Sequence, residues 1–268
     1  MTNLKLIVFI CAFSSGLFST VKAQKELSGE VTYNFIVANP DGTTFTNPYT
    51  LYFDPHKSLY TKSGEIRQLK ISDENESEFD AGQQAKTTII KSNNPEPYYY
   101  INTENRILIF RETVANKLFI VKESFTTIDW VLQKETKKIG KYNCQKAIAD
   151  YKGRQWTVWF TTEIPVTRGP WKLRGLPGLI LEATENRDKF SFYAETVNLN
   201  PDDLLIQEKL KEPIIDNLST NESYVGALKS KYDDISAMIQ ASSPRGTRSI
   251  EHCEICPDPK NLSLEVYE

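Results

Sequence analysis

The 268-residue chain has few of the side chains that most often catalyse reactions or bind metals, with only two histidines and four cysteines. Histidine is the commonest acid–base group near neutral pH and the commonest metal ligand, so its scarcity weakens an enzymatic interpretation. The G-x-S-x-G, H-E-x-x-H, P-loop and G-x-G-x-x-G motifs are absent as well. Enzymatic activity is therefore uncertain, and the composition favours a protein that is not an enzyme.

Extremes of composition are also missing. Hydrophobic residues make up 40% of the chain and charged residues 25%, which excludes a disordered chain, a collagen, a coiled coil and a multi-span membrane protein. What the chain does have is aromatic residues: 13 Tyr, 13 Phe and 4 Trp. Because aromatic side chains favour pleated surfaces, this excess indicates β-structure.

Short runs of alternating polar and apolar residues, bounded by turn residues, recur from residue 28 to residue 197. They number about a dozen, which is typical of antiparallel all-β domains. The sequence therefore predicts a mainly β fold: a curved antiparallel sheet, shaped as an open bowl or half-barrel, with one or two packed C-terminal helices.

Two segments near the C-terminus have helical character. Residues 219–239 begin with Ser219 and Glu222, a spacing that predicts a capping box. An apolar stripe follows at helical spacing: Tyr224, Leu228, Tyr232, Ile235 and Ile239. A shorter helix is predicted for residues 201–210, with Pro201 at its first position. We expect the stripe to pack against the sheet.

Residues 1–23 have the pattern of a secretory signal peptide. Lys5 provides a positive charge, residues 6–18 form an apolar run, and Ala23 ends a plausible cleavage site. An apolar run of that length is too short to span a membrane as a helix. We therefore expect an exported protein, periplasmic, associated with the outer membrane or secreted, whose mature chain (24–268) is a single β-rich domain with no spanning segment.

The formal net charge of the whole chain is −3, and it becomes −5 when the two lysines of the signal peptide are removed. A mildly acidic protein lacks the basic surface that nucleic acids and anionic membranes attract. Nucleic acid is therefore not an expected partner.

Three cysteines remain in the mature chain, and two of them lie in a His252-Cys253-x-x-Cys256 tail. Export permits disulfides, so we expect one, either Cys253–Cys256 or a bridge from one of these residues to Cys144. The alternative is a Zn or Cu site at Cys253, Cys256 and His252, with Cys144 as a further ligand. Without that site, no cofactor is expected.

A stiff, proline-rich loop between residues 163 and 178 is the second candidate site. Four of its side chains offer cations and a ring to an anionic or sugar-like ligand: Arg168, Trp171, Lys172 and Arg174. The alternative is a rigid corner whose basic residues are only solvated. Composition predicts a type II turn at residues 176–179, with a positive φ at Gly178.

The end of this loop carries the resemblance to a known family. It resembles the name motif of the GLPGLI family, exported proteins of Bacteroidetes-type bacteria, through Gly175, Leu176, Pro177, Gly178, Leu179 and Ile180. Flanking segments at 138–147, 153–159, 163–165 and 169–170 follow the same pattern. The resemblance implies a bowl-like β domain, similar to accessory domains of some secreted glycan-acting enzymes, in a family of uncharacterised function without assigned catalytic residues.

Taken together, these features predict a non-enzymatic binding or interaction protein of the cell envelope. Its partner is expected to be a lipid, a peptide, a glycan or another envelope protein. The alternative is an envelope protein that handles metals or thiols through the His-Cys-x-x-Cys tail. A hydrolase that uses carboxylates ranks third.

Overall fold

The computed structural model describes residues 26–72, 84–91, 93–242 and 263–267. The predicted signal peptide and the predicted tail residues His252, Cys253 and Cys256 lie outside these residues. Export, the disulfide and the metal alternative therefore stay predictions.

Thirteen strands account for most of the described chain. They are β1 (Gly29–Ala38), β2 (Thr44–Phe53), β3 (Lys57–Lys62), β4 (Ile66–Ser72), β5 (Gln84–Ile90), β6 (Tyr98–Asn102), β7 (Ile107–Val114), β8 (Lys117–Ser124), β9 (Val131–Ile139), β10 (Tyr142–Tyr151), β11 (Arg154–Thr161), β12 (Leu179–Glu185) and β13 (Phe190–Asn198). Helices α1 (Asp203–Lys209) and α2 (Asn221–Ser242) follow them.

All the strands belong to one antiparallel sheet. Eleven of them follow the order β8-β7-β6-β3-β2-β1-β13-β12-β11-β10-β9, and the other two, β4 and β5, attach to it through β2. Strands β8 and β9 end this path, and no ladder within the described residues joins them, so the sheet is open. The predicted mainly β fold, with a curved antiparallel sheet and C-terminal helices, is confirmed.

Irregular pairing accompanies the curvature of the sheet. The ladders of β1 with β13, β9 with β10 and β11 with β12 each shift register once. Such bulges bend a strand and increase its twist. Strand β2 also forks: residues 44–46 pair with β4, whereas residues 49–53 pair with β3. The β4–β5 hairpin thus leaves the sheet beside β3, at a place we call the fork.

One face of the sheet holds the main core, and we call it the inner face. Its fully buried side chains include Tyr33, Leu51, Phe110, Trp156 and Phe192. Strand alternation brings them to the same side, and ring contacts such as Trp156–Phe192 (5.9 Å between centroids) connect β11 with β13 across the intervening β12. The aromatic excess of the sequence is therefore largely the filling of this face.

Helix α2 lies on the inner face over β7 and β8, and Tyr224, Leu228 and Tyr232 of the predicted stripe are buried there. The predicted cap is wrong. Thr220 caps the helix by accepting a hydrogen bond from the Ser223 amide (3.1 Å). Ser219 instead donates its backbone amide to the carbonyl of Ile120 in the edge strand β8 (2.7 Å), so it pairs with the sheet and does not cap the helix.

Helix α1 is shorter than the predicted 201–210 helix. Its cap is Asp202, whose carboxylate accepts from the amides of Leu204 (2.8 Å) and Leu205 (3.2 Å). Pro201 lies outside it because an aspartate side chain satisfies the first amides where the helix begins.

The predicted type II turn at residues 176–179 is also wrong, because the positive φ falls at Gly175 (95°) and not at Gly178. Gly178 is needed for another reason. A Cβ atom at this position would lie 2.1 Å from the carbonyl oxygen of Thr161. The glycine therefore lets the loop approach the end of β11 closely.

Gly178→Ala is expected to lower the free energy of unfolding by about 3 kcal/mol, the upper end of the usual range for overpacking, because backbone must move to admit the methyl group. Gly226→Ala is the matched control, since nothing lies within 4 Å of a Cβ there and the residue is helical. It should stabilise the protein by up to about 1 kcal/mol. Urea unfolding of both variants tests this, and equal effects would contradict it.

Candidate functional site

Residues 163–178, which we call the motif loop, lie on the inner face of the sheet. The four predicted ligand-binding side chains of this loop are at most 4% exposed: Arg168, Trp171, Lys172 and Arg174. Contacts within the chain surround these side chains. Their role in ligand binding stays a prediction.

Arg168 reaches the β2–β3 and β6–β7 turns. It donates to the Pro55 carbonyl (3.1 Å) and to Thr103 Oγ1 (3.3 Å). Burial lowers the pKa of the Arg168 guanidinium to about 10, although Asp54 opposes the shift. This arginine therefore ties the loop to the far side of the sheet.

Trp171 and Arg174 fill the middle of the inner face. Trp171 packs against Trp156 (5.6 Å) at a φ of 55°, a conformation that bulky residues rarely adopt. Arg174 donates to the Thr126 carbonyl (2.8 Å), and its guanidinium carbon lies 4.2 Å from the ring centre of Phe125. These contacts support a structural role for both residues.

Lys172 is completely buried, and its Nζ lies 3.4 Å from the ring centre of Phe110. Its ammonium group pairs with the carboxylate of Glu265. Lys152 approaches the same carboxylate at 3.6 Å, and Tyr267 donates a hydrogen bond to it. Burial acts to raise the pKa of Glu265, but the two lysines outweigh it, so the net pKa is lowered.

The last described segment, 263–267, is held beside the β10–β11 turn. Arg154 donates to the Leu264 carbonyl (3.2 Å), and the Val266 amide donates to the Lys152 carbonyl (2.9 Å). These hydrogen bonds hold the backbone of the segment so that the Glu265 side chain lies in the interior.

Glu112 of β7 is a second carboxylate near Lys172. Tyr99 and Tyr224 each donate a hydrogen bond of 2.8 Å to one of its oxygens. Burial raises the pKa of Glu112 above its ordinary value, although Lys172 opposes the rise. Glu112 and Glu265 thus face one ammonium with unequal proton affinities, and Glu112 is the one that holds a proton more readily.

Glu112 also lines a pocket of about 260 Å³ on the inner face beside the fork, which we call the Glu112 pocket. Strands β2, β3, β4, β6 and β7 and the segment before β6 supply its lining: Asn47, Tyr49, Lys62, Ile66, Asn94, Pro95, Glu96, Pro97, Tyr99, Glu112 and Thr113. Polar groups and aromatic or proline surfaces thus alternate around one cavity, as in small-molecule sites.

The rim of the pocket is fixed by hydrogen bonds. Arg111 donates to the Glu96 carbonyl through Nε (2.8 Å) and Nη2 (2.6 Å). Thr61 Oγ1 donates to the Pro97 carbonyl (3.2 Å). Lys62 Nζ lies 3.2 Å from the Glu96 carboxylate, and the lysine side chain is only 9% exposed.

The sequence interpretation missed this pocket, although one pattern could have revealed it. In β7, Leu108, Phe110 and Val114 point inward, and strand alternation places Glu112 in the same row. A carboxylate among buried apolar residues is costly unless it has partners. In β3, Lys62 likewise lies two residues after the buried Tyr60, on the same face of the strand. Glu112 and Lys62 could therefore have been recognised from the sequence as polar residues on the inner face.

Cys144 is buried and, among the described residues, forms no disulfide. Burial raises the pKa of its thiol to about 11, so it is not a reactive thiolate. No group of three or more histidines, cysteines or acids within the described ranges is placed to hold a metal ion. In the same part of the chain, no helix combines the length and apolar composition needed to span a membrane.

These features define an open, curved β-sheet domain with a buried charge network and a polar pocket on its inner face. The chain belongs to the family described as "N-glycanase peptide, N-terminal domain", which matches residues 65–220, more than half of its length. The match includes β6, β7 and the motif loop.

Two solved structures of PNGF-II are similar to the chain. The one in space group P21 has a TM-score of 0.48 and 19% identity, covering 76% of this chain and 34% of the other. The one in space group C2 has a TM-score of 0.50 and 20% identity, covering 76% and 33%, and it shows a shared fold alone. The chain spans about a third of the length of these structures. No curated protein sequence matches the chain.

The family match corrects two predictions. The resemblance to the GLPGLI family is wrong, because the family model that matches residues 65–220 is that of a different family. The predicted function, a non-enzymatic binder of the envelope with an unknown ligand, is wrong as well, because the family is glycan-related and connected with an enzyme. The match gives no support to the metal- or thiol-handling alternative.

Lys172→Met is expected to lower the free energy of unfolding by about 3–5 kcal/mol, because it leaves the Glu265 carboxylate buried without its nearest partner. Adding Glu265→Gln should restore part of the loss. Lys146→Met, which breaks the more exposed Lys146–Glu135 pair (3.3 Å), should cost about 1 kcal/mol or less. Denaturant unfolding of the three variants measures these changes. If the effects of Lys172→Met and Glu265→Gln simply add in the double variant, the two side chains do not stabilise each other and the expectation is wrong.

Glu112→Gln is expected to change the pH dependence of stability. The raised pKa means that above the ordinary value of 4.5 the folded protein binds more protons than the unfolded chain. Stability from this group therefore falls as pH rises from 4.5 through the folded pKa. Unfolding at pH 4.5 to 8 should show that fall in the wild type and a smaller one in the variant. Parallel curves would contradict the assignment.

Proposed function

We propose that the chain takes part in the enzymatic removal of N-linked glycans, and that this domain engages the glycan. The observation that carries the proposal is the match of residues 65–220 to the N-terminal domain of an N-glycanase. A glycan was among the predicted partners, and it is the one that agrees with the family.

The Glu112 pocket supports the proposal through its chemistry. Sugars present hydroxyl groups and weakly apolar ring faces, so their sites combine hydrogen-bonding side chains with aromatic or apolar surfaces. Glu96, Glu112 and Asn47 supply the polar groups, and Pro95 and Pro97 supply apolar surface. The motif loop then serves as the support of the inner face.

The predicted site residues fit this proposal as structural elements. Arg168 and Arg174 hold the motif loop across the sheet, and Lys172 anchors it near Glu112. We infer that they maintain the face on which the pocket lies. Export of the protein, as residues 1–23 predict, would bring it to glycoproteins outside the cell.

The proposal is tested with the full chain, an N-glycosylated peptide and the same peptide without its glycan. We expect the glycopeptide to bind at least about tenfold more tightly, equivalent to about 1.4 kcal/mol. Titration calorimetry measures the binding, and mass spectrometry of the mixture follows glycan release. Equal affinity for the two peptides, with no glycan released, would refute the proposal.

A further inference from the structure

We propose that the Glu112 pocket binds one uncharged pyranose ring of the glycan and rejects acidic sugars. The inference rests on the proposed function and adds the class of sugar that the domain accepts. Three properties of the pocket carry it: its size, its balance of charge and the rigidity of its rim.

The size of the pocket suits one ring. Its volume of about 260 Å³ is slightly below the lower end, roughly 300 Å³, of ordinary small-molecule sites. Tyr49 and Tyr99 line the pocket and are 8% and 5% exposed, so only a small part of either ring is accessible to a ligand. A longer saccharide must therefore extend from the pocket towards solvent.

The charges of the pocket favour a neutral ligand. Of the eleven described lining residues, Lys62 is the one cation, and two are acids. Lys62 Nζ lies 3.2 and 3.4 Å from the two carboxylate oxygens of Glu96, so its charge is already compensated. A sugar carboxylate entering the pocket would meet the carboxyl groups of Glu96 and Glu112, while the one lining cation, Lys62, is already paired with Glu96, which is unfavourable at short range.

The same groups are suitable acceptors for sugar hydroxyls. The Glu96 side chain is 51% exposed, so its oxygens remain accessible beside Lys62. Each Glu112 oxygen accepts one tyrosine hydrogen bond, and a carboxylate oxygen has room for a second. Asn47 uses its amide nitrogen on the Phe35 carbonyl (3.4 Å), which leaves its side-chain oxygen as a further acceptor.

The rim is ordered before any ligand arrives. Arg111 fixes the Glu96 backbone with two hydrogen bonds and stacks over Tyr98, with its guanidinium carbon 4.8 Å from the ring centre. Thr61 fixes Pro97. A preorganised rim reduces the ordering cost of binding, which matters for a ligand as small as one ring.

The test uses the full chain and three probes: the methyl glycosides of mannose, of N-acetylglucosamine and of N-acetylneuraminic acid. NMR titration should show saturable binding of at least one neutral glycoside, and at least about tenfold weaker binding of the acid. Glu96→Gln should weaken neutral binding about tenfold, since a charge-assisted acceptor is lost, and should narrow the gap between neutral and acidic probes.

Glu104→Gln is the matched control, because Glu104 has a similar exposure (56%) but lies in the β6–β7 turn, outside the pocket lining. It should leave both affinities unchanged, and thermal melting should show that both variants are folded. Equal binding of the acidic and neutral probes, or unchanged binding of the neutral probes by Glu96→Gln, overturns this inference. If the glycopeptide still binds through its glycan in that case, the proposed function stands. If no glycan binds at all, both fail.

Discussion

The burial of one lysine organises much of this fold. Lys172 brings an ammonium group into the interior, where it lies over Phe110 and pairs with Glu265. An unpaired ion at such a depth would cost several kcal/mol, so the elements that supply its partners must assemble together. The motif loop brings the lysine, segment 263–267 brings Glu265, and Tyr232 of α2 donates a hydrogen bond to the Glu265 carbonyl (2.8 Å).

This network also reaches the surface, at Glu112. On its buried side Glu112 accepts hydrogen bonds from Tyr99 and Tyr224, and on its other side it lines the pocket beside the fork. One carboxylate therefore links the packing of α2 and the motif loop to the chemistry of the pocket. This coupling gives a physical reason for a carboxylate in an otherwise apolar strand row: a leucine there would pack, but it would offer nothing to either tyrosine or to a ligand.

The motif loop shows how a short pattern misleads. Six residues suggested one family, whereas the match over residues 65–220 assigns another. Three of the six have clear roles in local packing. Gly178 avoids a clash with Thr161, Gly175 adopts a positive φ, and the Ile180 carbonyl accepts a hydrogen bond from the Tyr33 hydroxyl (2.6 Å). Local packing of this kind fixes a few positions strongly, but it carries little information about activity.

The amino-acid sequence by itself determined the fold class, because strand alternation, turn residues and the apolar stripe of α2 are local patterns that survive without knowledge of distant contacts. It also indicated the motif loop as a rigid structure. Only the tertiary structure decided that Arg168, Lys172 and Arg174 are buried, since their partners at Thr103, Glu265 and Thr126 are distant in the chain. The tertiary structure likewise determined where the pocket forms. The register of the β-sheet, and not the spacing in the sequence, brings together its lining residues Tyr49, Lys62, Tyr99 and Glu112.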